Sequence, residues 1–202
     1  MRKLILVIAP ALLLFAASTA HADTLSIDAD PTGVNGPYIM SLNGNSGTAM
    51  ICYSATNDIY WGETWTAAAY AAGADLLPLV DTAFGGSTLA ATEADYNELG
   101  YLATELFADP GNSDLQDAIW AVFGTDSATI STAEENDLSA AAAAVAGGYV
   151  TTDTFYIPTS WPEGDGEPQP FIAAPEPGSF ALLAIGLIGL GLLIRKRSVA
   201  TS

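Results

Sequence analysis

The hydrophobic and polar positions fall into three textures along the chain. Near the start, "PYIMSLNG" and "TAMICYSA" are short apolar runs on either side of "NGNSG". A glycine and asparagine turn between two such runs predicts a β-hairpin, with Cys52 in or at the end of its second strand. From Trp61 the spacing becomes helical: "GETWTAAAYAAG" sets Trp65, Ala68, Ala69 and Ala72 three or four positions apart and stops at Gly73. "STLAATEADYNELGYLATELFADPG" then aligns Leu99, Leu102 and Leu106 on one face and ends at Pro110. "SDLQDAIWAVFG" follows, with Ser113 as N-cap, Leu115, Ile119, Val122 and Phe123 as the apolar side and Gly124 as the stop. "STAEENDLSAAAAAVAGG" begins with Ser131 and Glu134 in capping-box spacing and ends at Gly147-Gly148. A strand is expected again in "YVTTDTFYIP", before "EGDGEPQP" reads as a linker. The pattern predicts an α+β fold, a small β-sandwich or barrel-like β core with a helical insertion.

The two ends differ from this body. "MRKLILVIAPALLLFAASTAHA" has a basic start (Arg2, Lys3), an apolar run and Ala20-His21-Ala22. That is the form of a cleavable signal peptide, residues 1–22, cut between Ala22 and Asp23. At the other end, Pro175-Glu176-Pro177 precedes an apolar run from Phe180 to Ile194, closed by Arg195-Lys196-Arg197. At about 1.5 Å rise per residue the run reaches roughly 22 Å, short of the ~30 Å hydrocarbon core but able to span if the bilayer thins. The basic triplet acts as a membrane stop on the cytoplasmic side and leaves the body of the chain outside. This tail resembles the PEP-CTERM sorting signal of Gram-negative bacteria that make extracellular polysaccharide. The resemblance implies an exosortase-type processing enzyme that cuts at the motif, so that helix 179–194 is a temporary inner-membrane anchor and the product reaches the cell surface or extracellular matrix. The expected organisation is a signal peptide (1–22), an α+β domain (23–160), a Pro/Gly/acidic linker (161–174) and a sorting signal with transmembrane helix and basic tail (175–202).

With the ends set aside, the charge balance narrows the chemistry. The chain has 23 acidic and five basic side chains, and all five basic ones, like its only histidine, lie in the terminal segments. The body can form no side-chain salt bridge and repels polyphosphates and nucleic acid, which excludes nucleic-acid partners. Without His, Lys or Arg it has no Ser-His-Asp or Cys-His arrangement, no lysine base and no phosphate clamp. The acids show no spacing that sets a catalytic pair apart from a solvated surface, so neither an enzyme nor a cofactor is expected. Asp28 and Asp30 in "SIDADPTG" are too few for a calcium loop, and no metal site is assigned.

What remains is the single cysteine, Cys52. In an exported chain a lone cysteine is a buried small hydrophobe, an intermolecular disulfide partner or a reactive group. "AMICYS" resembles the cysteine motif of bacterial thioester domains, and Leu115-Gln116-Asp117-Ala118-Ile119-Trp120 resembles their glutamine motif. The resemblance implies a bond between Cys52 Sγ and the Gln116 side-chain carbonyl, formed with loss of ammonia and shielded from water by Trp120 and Tyr53. Ile51 stands before the cysteine where the family often has an aromatic or leucine. The competing reading is that Ser113 and Gln116 form a capping box and the glutamine does no chemistry. The absence of lysines fits a chain that carries an amine-reactive bond. The expected function is covalent, single-turnover attachment to an extracellular amine- or hydroxyl-bearing partner, in adhesion or biofilm and exopolysaccharide association. The alternative is a noncovalent structural or carbohydrate-binding matrix protein using Trp61, Trp65 and Trp161.

Overall fold

The computed structural model describes residues 22–29, 35–57, 59–125, 129–162 and 166–174. The signal segment before Ala22, Asp30, and the tail from Pro175 onward with its sorting motif, transmembrane run and basic triplet lie outside the described residues.

Among the described residues, six strands close into an antiparallel barrel: β1 (Ala22–Ala29), β2 (Tyr38–Leu42), β3 (Asn45–Cys52), β4 (Thr64–Ala71), β5 (Thr154–Ser160) and β6 (Phe171–Ala173). Around the barrel they run β1-β2-β3-β6-β5-β4. Closure leaves no free sheet edge among the described residues, in a body without basic side chains to guard one. Between β4 and β5 the chain inserts a 3₁₀ turn (Ala74–Leu79) and three helices, α1 (Leu89–Ala108), α2 (Ser113–Ala121) and α3 (Thr132–Ala146).

The period of two along the strands builds two cores. Leu25, Met40, Met50, Cys52, Trp65, Ala67, Tyr156 and Phe171, from all six strands, meet in one buried cluster, the barrel interior. Ile51, Tyr53, Phe155 and Ile172, one position out of step, pack instead with Leu99, Leu102, Leu106 and Ile119 of the helices. Thus the end of β3, the first half of β5 and all of β6 are buried on both faces.

The hairpin at "NGNSG" forms, with Asn43 and Gly44 at positive φ in its turn. The capping box of α3 also forms: Ser131 Oγ accepts from Glu134 N–H at 3.1 Å and Glu134 Oε2 from Ser131 N–H at 3.1 Å.

Three expectations are corrected. "GETWTAAAYAAG" is not a helix but β4, paired to β1 through Ala22↔Ala68 and to β5 through Ala71↔Thr154. Alanine-rich sequence satisfies either period, and Trp65 and Ala67 commit it to a strand by turning inward to fill the barrel. The stretch read as linker, 161–174, supplies β6, whose three residues are buried between β3 and β5. It is stitched in further by Tyr53 N–H donating to Pro170 O at 3.1 Å. Finally, the N-cap of α2 is Asn112, whose Oδ1 accepts from Leu115 N–H at 3.2 Å, and not Ser113.

Candidate functional site

The corrected cap decides what Gln116 can do. With Asn112 at the cap, Ser113 is the first helical residue and the Ser113–Gln116 capping box does not form. The Gln116 side chain, fully buried, turns toward the end of β3 instead. Its Nε2 donates to the Cys52 carbonyl oxygen at 2.9 Å, across 64 positions of sequence. Its Oε1 accepts from the Gly36 N–H at 3.2 Å. Donor faces acceptor at both ends of the amide, so the neighbours fix its orientation. Gly36 is held in turn, because its carbonyl accepts from Gly111 N–H in the α1–α2 turn at 3.3 Å. A Cβ at Gly36 would lie 3.3 Å from Gln116 Oε1 and 3.4 Å from the Tyr38 ring, tighter than ordinary contact.

Cys52 is a free, fully buried thiol whose side chain belongs to the barrel interior. It donates to Tyr38 Oη at 3.9 Å. Burial pushes the thiol up from 9.0 to about 11, against the smaller opposing pull of the neighbouring Trp120 and Tyr38 side chains. The Trp120 indole N–H closes no full hydrogen bond. Trp120 is half-buried and packs against both cores, which makes it the side chain that bridges barrel and helices beside the site.

The structure therefore brings Cys52, Gln116 and Trp120 together. Tyr53 lies on the other face of β3. It is fully buried among Phe84, Tyr96, Phe123 and Phe155, so it seals the helical side and does not cover the sulfur. Two participants had no motif to reveal them. Gly36 sat in what reads as a plain turn, "NGPY", and Tyr38 as one more strand residue. Ala22 and Asp23 begin β1. Asp28, considered for calcium, has its carboxylate engaged by the Ser41 hydroxyl at 2.6 and 2.7 Å. Trp65 is buried in the barrel and presents no sugar platform, Trp161 packs partly against the barrel core, and Trp61 is 67 % exposed.

Residues 173–197 match the PEP-CTERM protein-sorting motif. The motif implies export, processing by an exosortase and transient membrane anchoring. The match is confined to the tail; no curated protein and no solved structure matches the chain.

The buried thiol has a measurable consequence. The folded chain keeps the proton up to about pH 11, whereas the unfolded thiol loses it above 9.0. The unfolded state therefore binds fewer protons in that window, and stability falls as pH rises through it. Where Cys52 is a free thiol, this contribution is complete below pH 9 and its loss by pH 11 amounts to about 3 kcal/mol. Buried Tyr53 and Tyr96 are raised too and act in the same direction. Comparing denaturant midpoints at the two pH values with those of Cys52→Ser isolates the cysteine part, which the serine variant is expected to lack.

Proposed function

We propose that this exported, exosortase-sorted protein forms an internal thioester between Cys52 and Gln116 and uses it once to attach covalently to a partner outside the cell. The observation that carries the reading is the seating of the Gln116 amide against Cys52: two residues remote in sequence, both fully buried, with the amide oriented by two backbone groups. In the forming step the Cys52 sulfur attacks the Gln116 side-chain carbonyl carbon. The C–S bond forms, the C–Nε2 bond breaks, and the thiol proton leaves with Nε2 as ammonia. Oε1 carries the developing negative charge, and the Gly36 N–H already donates to it. With a thiol held near pH 11, free thiolate is scarce and the Tyr38 hydroxyl is the group placed to pass the proton.

In the capture step an amine or hydroxyl of the partner attacks the thioester carbonyl. An amide or ester forms, the C–S bond breaks, and the proton returns to Cys52. No second turnover is possible, so the protein is a covalent tether in adhesion or matrix association and not an enzyme. Burial of Cys52 and Gln116 keeps water off the bond. The cross-link would close a loop of 64 positions, which by analogy with a disulfide stabilises the fold by about 4 kcal/mol.

Incorporation of a biotin-linked primary amine tests the capture. The secreted protein is expected to take up one label at Gln116 and to gain one alkylatable thiol at Cys52 in the same proportion. Label uptake unchanged in Cys52→Ala would count against it. Processing is tested apart from this: Pro175→Ala or Pro177→Ala is expected to keep the tail on the chain and leave the protein in the membrane fraction. Exposed Tyr60 and Trp61 favour a second, noncovalent reading in which the β3–β4 loop stacks on sugar rings.

A further inference from the structure

We infer that the Trp120 indole N–H stabilises the negative charge on the Cys52 sulfur as the thioester opens, a role that rests on the cross-link proposed above. The need for such a group follows from the capture step. When the amine attacks the thioester carbonyl, the C–S bond breaks and its electron pair leaves with Cys52 Sγ, which then takes up the proton that the amine gives up. Charge is therefore produced on a side chain that is fully buried. The body of the chain has no lysine, arginine or histidine to meet it, and an unpaired buried charge is costly.

Neutral donors are what remain. The Tyr38 hydroxyl lies 3.9 Å from the sulfur, but there it accepts from the thiol and is the group placed to pass the proton. Trp120 is placed differently. It follows Gln116 by one turn of α2, so the helix that brings the carbonyl to the end of β3 also brings the indole. Its ring packs against the barrel cluster that contains Cys52 as well as against the helical core. Its N–H is buried and makes no hydrogen bond before the bond opens. Burial has the largest influence on the thiol and raises it; of the side chains that favour the ionised form, Trp120 ranks ahead of Tyr38.

An unpaired N–H is what a leaving group of this kind requires. An indole nitrogen donates and does not accept, and the neutral sulfur of a thiol or thioester is a weak acceptor, so little is gained before bond cleavage. A thiolate makes the same contact charge-assisted. The interaction is then stronger in the transition state than in the ground state, which accelerates the chemistry and does more than steady the fold.

The test removes only the N–H. 3-Benzothienylalanine, with sulfur in place of the indole nitrogen, is placed at position 120 by stop-codon suppression. Position 65 is the control, because the Trp65 N–H is also buried and unpaired and its ring lies in the barrel cluster. Methylamine uptake per intact thioester, followed by mass, is expected to slow by about tenfold or more at position 120 and to stay within about twofold of the parent at position 65. A second readout needs no cross-link. With one cysteine in the chain, a ¹³Cβ cysteine label gives a single resonance, and its titration is followed in the methylamine-released protein, or in the untreated protein if that already carries a free thiol. The thiol is expected to titrate at higher pH in the position-120 variant than in the parent, with circular dichroism verifying the fold. An unchanged titration, or an equal effect from position 65, would overturn the role of Trp120. A parent without the ammonia deficit would instead overturn the cross-link, and the titration would still decide whether the N–H serves the sulfur.

Discussion

Gln116→Ala is expected to abolish amine capture and to destabilise the domain by about 3–6 kcal/mol. The side chain is fully buried, and its removal strands two backbone groups, the Gly36 N–H and the Cys52 carbonyl. Each unpaired buried group costs about 1–3 kcal/mol, and the vacated volume adds to that. If the cross-link is present in the parent, its loss enlarges the effect. Urea unfolding measures the stability. Gln116→Glu separates the chemistry from the fold, because a carboxyl fills the same space but has no ammonia to release. Its amine uptake is expected to be nil while its far-ultraviolet circular dichroism stays that of the parent. Normal amine uptake by either variant would place the reactive group elsewhere.

The second large effect lies far from the site, where α1 meets the segment leading into β5. Gly100 is buried in the middle of α1. A Cβ there would stand 2.2 Å from Thr151 Oγ1, 2.4 Å from Thr151 Cβ and 2.9 Å from Asp153 Oδ2. These atoms cannot yield easily. Thr151 Oγ1 donates to Asp153 Oδ2 at 2.6 Å and accepts from Asp153 N–H at 3.1 Å, while Thr151 N–H donates to Asn97 Oδ1 at 2.9 Å. Alanine is ordinarily favoured over glycine inside a helix by about 1 kcal/mol. Here the overlap forces helix and strand apart, and Gly100→Ala is expected to lower stability by about 3 kcal/mol or more. A urea midpoint at or above that of the parent would show that the two elements do not pack this closely.

How far the sequence revealed this arrangement depended on whether a local rule had competition. Leu99, Leu102 and Leu106 are all buried on α1, because a 3.6-residue period over five turns has no rival reading. Ser131 and Glu134 are equally local, since a capping box needs only four residues. The alanines of β4 satisfy both periods, and closure of the barrel by neighbours remote in sequence decided between them. β6 is three residues long, too short to show any period, and is a strand because β3 and β5 leave a gap that it fills. At the site, the order of Cys52 and Gln116 was legible as a motif. The oxygen-binding Gly36 N–H was not, because a backbone donor carries no side-chain signature. Nor was the division of Cys52 and Tyr53 between opposite faces of β3, which follows from strand register.

The most direct test of the central claim is the intact mass of the secreted protein, processed at both ends, measured under denaturing conditions before and after methylamine. The account predicts a chain one ammonia lighter than its sequence, with no alkylatable thiol. Methylamine should add one molecule of its own mass at Gln116 and release Cys52, and the deficit should vanish in Cys52→Ala and in Gln116→Ala. A mass equal to the sequence, unaltered by methylamine and with Cys52 fully alkylated on denaturation, would contradict it.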